Sequence, residues 1–195
     1  HYYWDIFAIY ASIIEGFRKC VSAGYHPESI GIDTWGVDFG FVADDGTILG
    51  LPRAYRDQYT DGAPEEFYNI IPKEELYRRT GIQIMPFNSI FQIFRQAETG
   101  SASLKYASRL LFIPDLLAYM LTGKMVCEYT VASTSQLLDP YSRDFDRGLL
   151  AAAGVKRDMF PGIVMPGTVV GEIDSRIAES TGIGNVKVVA VAGHD

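Results

Sequence analysis

Cysteine is scarce in this chain. Only two occur in 195 residues, Cys20 and Cys127, and their spacing suggests neither a disulfide framework nor a zinc site. A reducing compartment, the cytoplasm, is the expected location. Concentrated positive charge is missing as well. Lys and Arg number 17 against 24 Asp and Glu, for a formal charge of −7, and no stretch gathers several of them, so the footprint of a nucleic-acid binder is absent. No apolar run approaches the roughly 18 to 20 residues of a membrane span, and the N-terminus lacks the basic and apolar regions of a secretory signal. These absences leave a small, neutral or metal-complexed molecule as the expected partner, with no nucleic acid and no membrane, and a monomer or weak homo-oligomer as the expected state.

Further chemistries are excluded by missing motifs. There is no Walker phosphate loop and no Gly-x-Ser-x-Gly elbow, and Gly182-Ile183-Gly184 precedes a strand and lacks the third glycine of a dinucleotide loop. His1, His26 and His194 are too scattered to share a metal, so no metal ligands are expected in the chain. There is no initiator Met, and His1-Tyr2-Tyr3-Trp4-Asp5 runs straight into a helix start, which reads as an internal segment of a longer protein.

The residues present outline one domain. With 48% hydrophobic residues the chain can build a sizeable core. Asp5 caps a predicted helix whose apolar positions Ile6, Tyr10, Ile13, Ile14, Phe17 and Val21 repeat at three- and four-residue steps, ending near Gly24. Ser29 to Trp35 reads as a strand that Gly36 interrupts. Residues 39–42 and 47–49 form a hairpin around Asp44-Asp45-Gly46, followed by Tyr55-Arg56-Asp57, read as an internal ion pair bracing it. Helices are predicted at 73–79, 90–98, 116–120, 146–153 and 175–180, and Pro114 is expected to break the apolar segment 110–113. Residues 186–192 read as a strand buried on both faces of a mostly parallel sheet. The fold class is α/β with a helical insertion.

Ligands on such sheets gather at the carboxyl ends of strands. Two strands end in glycine beside polar or aromatic residues, at Trp35-Gly36 and at Gly193-His194-Asp195, so these residues are expected to line one pocket. Gly36 either admits a ligand close to the backbone or only bends a strand; Trp35 either walls a sugar-like ring or fills core. Asp195 is the candidate general base, taking a proton from a substrate hydroxyl, with a helix cap as its alternative role. His194 is placed to bind or orient the same substrate.

Several segments together resemble the FGGY carbohydrate kinases. They are Ser29 to Phe39, Gly50 to Asp57, Gly81-Ile82-Gln83 with Pro86-Phe87-Asn88, Ile113-Pro114-Asp115 with Leu121 to Lys124, Glu128-Tyr129-Thr130 with Thr134 to Leu137, and Gly193-His194-Asp195. The string Asp33-Thr34-Trp35-Gly36-Val37-Asp38 is most similar to the members acting on L-rhamnulose, a ketose made by isomerising L-rhamnose. The resemblance implies an actin-like, hexokinase-like fold and phosphorylation of that sugar's 1-hydroxyl, with ATP and Mg2+ required. It implies Asp195 as catalytic base and Gly36 and His194 as sugar contacts, with Trp35 beside them. It also implies that residues 1–195 form most of the N-terminal, sugar-binding domain. The first phosphate-loop hairpin and the C-terminal ATP-binding domain would lie outside the chain, leaving no nucleotide contacts within it and the isolated piece inactive. A related kinase for xylulose or fuculose, or a non-catalytic sugar-binding module, are the competing expectations.

Overall fold

The computed structural model describes residues 1–194. The elements run α1 (Ile6–Ser22), β1 (Ser29–Gly31), β2 (Phe39–Val42), α2 (Ala63–Phe67), α3 (Lys73–Thr80), α4 (Ser89–Glu98), α5 (Ala102–Tyr106), β3 (Arg109–Phe112), α6 (Ile113–Thr122), β4 (Cys127–Glu128), α7 (Tyr129–Ser133), β5 (Leu138–Asp139), β6 (Asp144–Phe145), α8 (Arg147–Ala152), β7 (Ile163–Val164), β8 (Val169–Glu172), α9 (Ser175–Thr181) and β9 (Lys187–Val189).

The strands that position the site form a three-stranded sheet in the order β1-β9-β8. β1 and β9 run parallel, with Ser29 opposite Lys187, Ile30 opposite Val188 and Gly31 opposite Val189. β8 joins antiparallel, so the sheet is mixed rather than mostly parallel. The helices α1 and α9 cover one face: Ile13, Ile14, Phe17 and Val21 pack with Ile177, Ala178, Val186 and Val188. Burial in the last strand alternates, correcting the expectation of two buried faces. Val186 and Val188 are buried, Val189 and Val191 are half-buried, and Lys187 is exposed. The apolar run is longer than the covering that the second face receives.

β2 and β3 pair antiparallel, and β2 also meets the segment after Gly46 through the Val42–Ile48 bridge, which preserves the expected hairpin in short form. Between β3 and α6 the chain turns without a break. Pro114 lies in the first turn of α6, where its missing N–H has no helical partner to lose. The helical part is held by side-chain packing. α4 is only 10 residues long, marginal as an isolated helix, yet it buries Ile90, Phe91, Ile93 and Phe94. At about 1.5 to 3 kcal/mol per fully buried large side chain, these contacts outweigh its length.

Local signals set the helix ends as read. Asp5 accepts from the Ala8 N–H at 3.0 Å, and Asp146 caps α8 by accepting from Gly148 and Leu149 at 2.8 and 3.1 Å. Gly81 takes a left-handed conformation, φ 68°, after α3, as a C-terminal glycine does.

Candidate functional site

The parallel pairing of β1 and β9 carries their two extensions forward side by side. A side chain at Gly193 would stand 3.7 Å from an Asp33 carboxylate oxygen, so the segment after β1 and the segment after β9 approach each other. Trp35 and Gly36 follow on one and His194 on the other. Asp195, the candidate base, lies outside the described residues.

Residues 35–38 make a tight turn. Val37 has φ 66°, a left-handed conformation that is strained for a β-branched residue. Three side chains hold it there. The Val37 N–H donates to Thr134 Oγ1 at 2.9 Å, while its carbonyl accepts from Ser89 Oγ at 2.6 Å and from Gln92 Nε2 at 3.3 Å. A β-carbon at Gly36 would stand 2.9 Å from both Thr134 Cγ2 and Oγ1, closer than packed atoms allow. The glycine is therefore required by Thr134, and any ligand contact at residue 36 is a main-chain contact.

Beneath the turn lies Asp38, fully buried. Its Oδ2 accepts from Trp4 Nε1 at 2.6 Å, Trp35 Nε1 at 3.0 Å and the Tyr55 N–H at 3.1 Å, and its Oδ1 accepts from Gln92 Nε2 at 3.0 Å. Burial pushes this carboxyl above its ordinary range, against the pull of those donors. Trp35 is thus fixed at its indole nitrogen and lies against Trp4, ring centroids 4.2 Å apart, half-buried on the core around Ile6 and Leu111. Tyr59 donates to Gln92 Oε1, and burial raises its phenol well above the usual value.

The other strand end is tied down by α7. The N–H groups of Gly193 and His194 donate to Thr130 Oγ1 at 3.0 and 3.2 Å. Thr130 lies in α7 and Thr134 is its C-cap residue, one helical turn further on, so this short helix with its cap touches both segments. α7 is itself initiated by Glu128, whose carboxylate accepts from the N–H groups of Thr130 and Val131 at 2.8 and 2.9 Å. The Glu128 N–H in turn donates to both carboxyl oxygens of Asp115 at 3.2 Å. Desolvation in this interior raises the Asp115 pKa to about 8.

Tyr55-Arg56-Asp57 does not form the expected internal ion pair. Asp57 accepts from the Tyr2 and Tyr59 N–H groups and meets His1 Nδ1 at 3.1 Å, fastening the N-terminal segment, while the Arg56 guanidinium lies over the Tyr55 ring at 4.9 Å. The side chains given no role from the sequence are the supports: the buried Asp38, Gln92, Asp115, Glu128 and Thr134 and the half-buried Thr130. Their one visible signal was position: most fall inside the segments quoted for the family resemblance, polar residues set among apolar ones.

The chemistry on offer at the strand ends is specific. The two amides of residues 193–194 are occupied by Thr130, so they do not form an anion-binding nest, and the exposed Asp33 adds negative charge beside them. A neutral, hydroxyl-rich ligand suits this mouth better than an anion. Among the described residues no three His, Cys, Asp or Glu side chains gather to hold a metal ion, and no helix is long and apolar enough to cross a membrane.

Solved structures share this arrangement of elements. Gluconate kinase from Lactobacillus acidophilus superposes with a TM-score of 0.89 at 19% identity, covering 98% of this chain and 39% of that one. Xylulose kinase from Lactobacillus acidophilus superposes at 0.86 and 19% identity, covering 98% and 40%. The fold is that of the actin-like sugar kinases.

Sequence comparison is narrower. The profile described as the FGGY family of carbohydrate kinases, N-terminal domain, matches residues 2–195. A rhamnulokinase of Bacteroides thetaiotaomicron is 47% identical across 100% of this chain and 40% of that protein, and one of Pectobacterium carotovorum is 41% identical across 100% and 38%. The chain belongs to the FGGY family of carbohydrate kinases. It spans about 40% of the length of the curated relatives it matches.

Proposed function

We propose that this chain supplies the sugar-binding part of a cytoplasmic ketose kinase that transfers the γ-phosphoryl group of MgATP to the 1-hydroxyl of L-rhamnulose. Residues 1–195 provide most of the N-terminal domain, and the nucleotide is held by the remainder of the full-length protein, with the metal arriving on the ATP. The observation that carries this reading is the fastening of the turn at 35–38 and of Gly193-His194 by Thr134 and Thr130 at the two ends of α7, in a chain 47% identical to a rhamnulokinase.

In this reading the ketose lies across the strand ends. The Gly36 main chain and His194 contact its hydroxyls, and Trp35, fixed by Asp38, forms an apolar flank. Asp195 accepts the proton of the 1-hydroxyl as that oxygen forms its bond to the γ-phosphorus, while the bond from phosphorus to the bridging oxygen breaks and ADP leaves. Phosphoryl transfer asks little covalent work of a protein, so a fixed sugar and a correctly placed base account for much of what these residues contribute.

Two measurements on the full-length protein test the proposal. Replacing Asp195 by Asn abolishes phosphorylation and leaves sugar binding largely intact; retained turnover removes Asp195 as the base, and unchanged function of the variant as a binder with no wild-type turnover makes the protein a sugar-binding module. Across a panel of ketoses, L-rhamnulose is the best substrate. Faster phosphorylation of xylulose or fuculose overturns the substrate assignment.

A further inference from the structure

We infer that Thr130 is a positioning residue, holding residues 193–194 so that the base following them meets the sugar hydroxyl. The inference rests on the kinase reading above for its catalytic meaning, and on the hydrogen bonds around one oxygen atom for its physical content.

A threonine hydroxyl has one proton and two acceptor sites, and at Thr130 all three are committed. The proton goes to Glu128 Oε2 at 2.6 Å. The bond to Glu128 fixes the direction of the hydroxyl, so both acceptor sites face away from Glu128. Those two sites receive the N–H groups of Gly193 and His194 at 3.0 and 3.2 Å. Successive amides converging on one oxygen pin the peptide between them in position and orientation, one residue before Asp195.

The other end of this attachment is equally firm. Glu128 is buried, 3% exposed, and is immobilised by the amides of Thr130 and Val131 through its side chain and by Asp115 of α6 through its own N–H. An unbroken series of hydrogen bonds therefore runs from the interior of α6, through the first residues of α7, to an exposed segment at the strand end. Residues 193–194 lie beyond β9, so regular β pairing does not hold them. Thr130 supplies the constraint that the sheet does not.

A base displaced by about 1 Å can cost on the order of 100-fold in rate. In the full-length protein, Thr130→Val keeps the side-chain shape and removes the hydroxyl. It is expected to lower kcat for ketose phosphorylation by about 10- to 100-fold with the KM for ATP unchanged, and Thr130→Ser, which restores the oxygen, returns kcat to within a few-fold of wild type. Hydrogen exchange at the Gly193 and His194 amides supplies a readout independent of turnover: protected in wild type and in the Ser variant, fast in the Val variant. Wild-type kcat in Thr130→Val, or a loss that Ser does not restore, overturns the positioning role. If wild type phosphorylates no ketose, the kinase reading fails by itself, and the exchange data still decide whether Thr130 holds the segment; unchanged protection in the Val variant means that it does not.

Discussion

Replacing Asp38 by Asn changes one atom in the interior and tests the account of the turn at residues 35–38. The carboxylate accepts three hydrogen bonds at Oδ2 and one at Oδ1. An asparagine keeps most of them by placing its oxygen at the Oδ2 position, which sets its amide group against Gln92 Nε2, a donor facing a donor at about the 3.0 Å of the native bond. An unpaired buried polar group costs about 1 to 3 kcal/mol, and each bond that loses its charge assistance weakens by about 1 kcal/mol. Relief of the burial that raises the Asp38 pKa offsets part of this, leaving a net loss of about 2 to 4 kcal/mol. For a chain of this size that lowers Tm by roughly 5 to 15 °C. The two tryptophans of the chain both donate to this carboxylate, so near-ultraviolet circular dichroism and tryptophan emission report on the site directly during the melt. An Asn variant that melts within about 2 °C of wild type with unchanged tryptophan signals would show that the Asp38 carboxylate does not hold the turn.

Two further perturbations probe the neighbouring supports. Gly36→Ala places a methyl 2.9 Å from Thr134 Cγ2 and Oγ1 and is expected to cost about 1 to 3 kcal/mol; because the collision is with Thr134, the double variant with Thr134→Ala should be less destabilised in urea than the two single changes summed. Asp115 has an unfolded-state value near 3.8 and a folded one of about 8. Between these pH values the folded chain keeps a proton that the unfolded chain has released, so Asp115 makes stability fall as pH rises through that window. Asp115→Asn removes this dependence, and its stability relative to wild type should rise by up to about 4 kcal/mol from pH 5 to pH 8, at 1.36 kcal/mol per unit. Parallel pH profiles for the two proteins would contradict a protonated Asp115.

The features legible in the sequence were those whose cause is local. Asp5, Gly81 and Asp146 mark helix ends because a cap is made within a few residues of itself. The pairing of β1 with β9 was foreseeable because both are apolar runs ending in glycine. Misreadings came where distant residues decide. The run at 186–192 carries no mark of how much covering its second face receives. Val37, unassigned between two strands, carries no local mark of its left-handed turn, which Thr134, Ser89 and Gln92, 97, 52 and 55 positions away, hold in place. α7 is five residues long, too short for periodicity to declare it, and it exists because Glu128 caps it. For the candidate site the sequence offered Trp35, Gly36 and His194 as ligand contacts and was silent about Asp38, Thr130 and Thr134, whose hydrogen bonds run to other parts of the chain.

Hanging both strand ends on α7 has an evolutionary consequence. A change that moves this helix to make room for a side chain at residue 36 also drags residues 193 and 194, since the two attachments are a single turn apart on one rigid element. In the proposed kinase, the segment assigned to sugar contact and the segment leading to the proposed base would therefore be inherited together. On that proposal, changes at Trp35 and His194, which leave α7 where it is, would alter sugar preference more readily than changes at Gly36, where a side chain collides with Thr134.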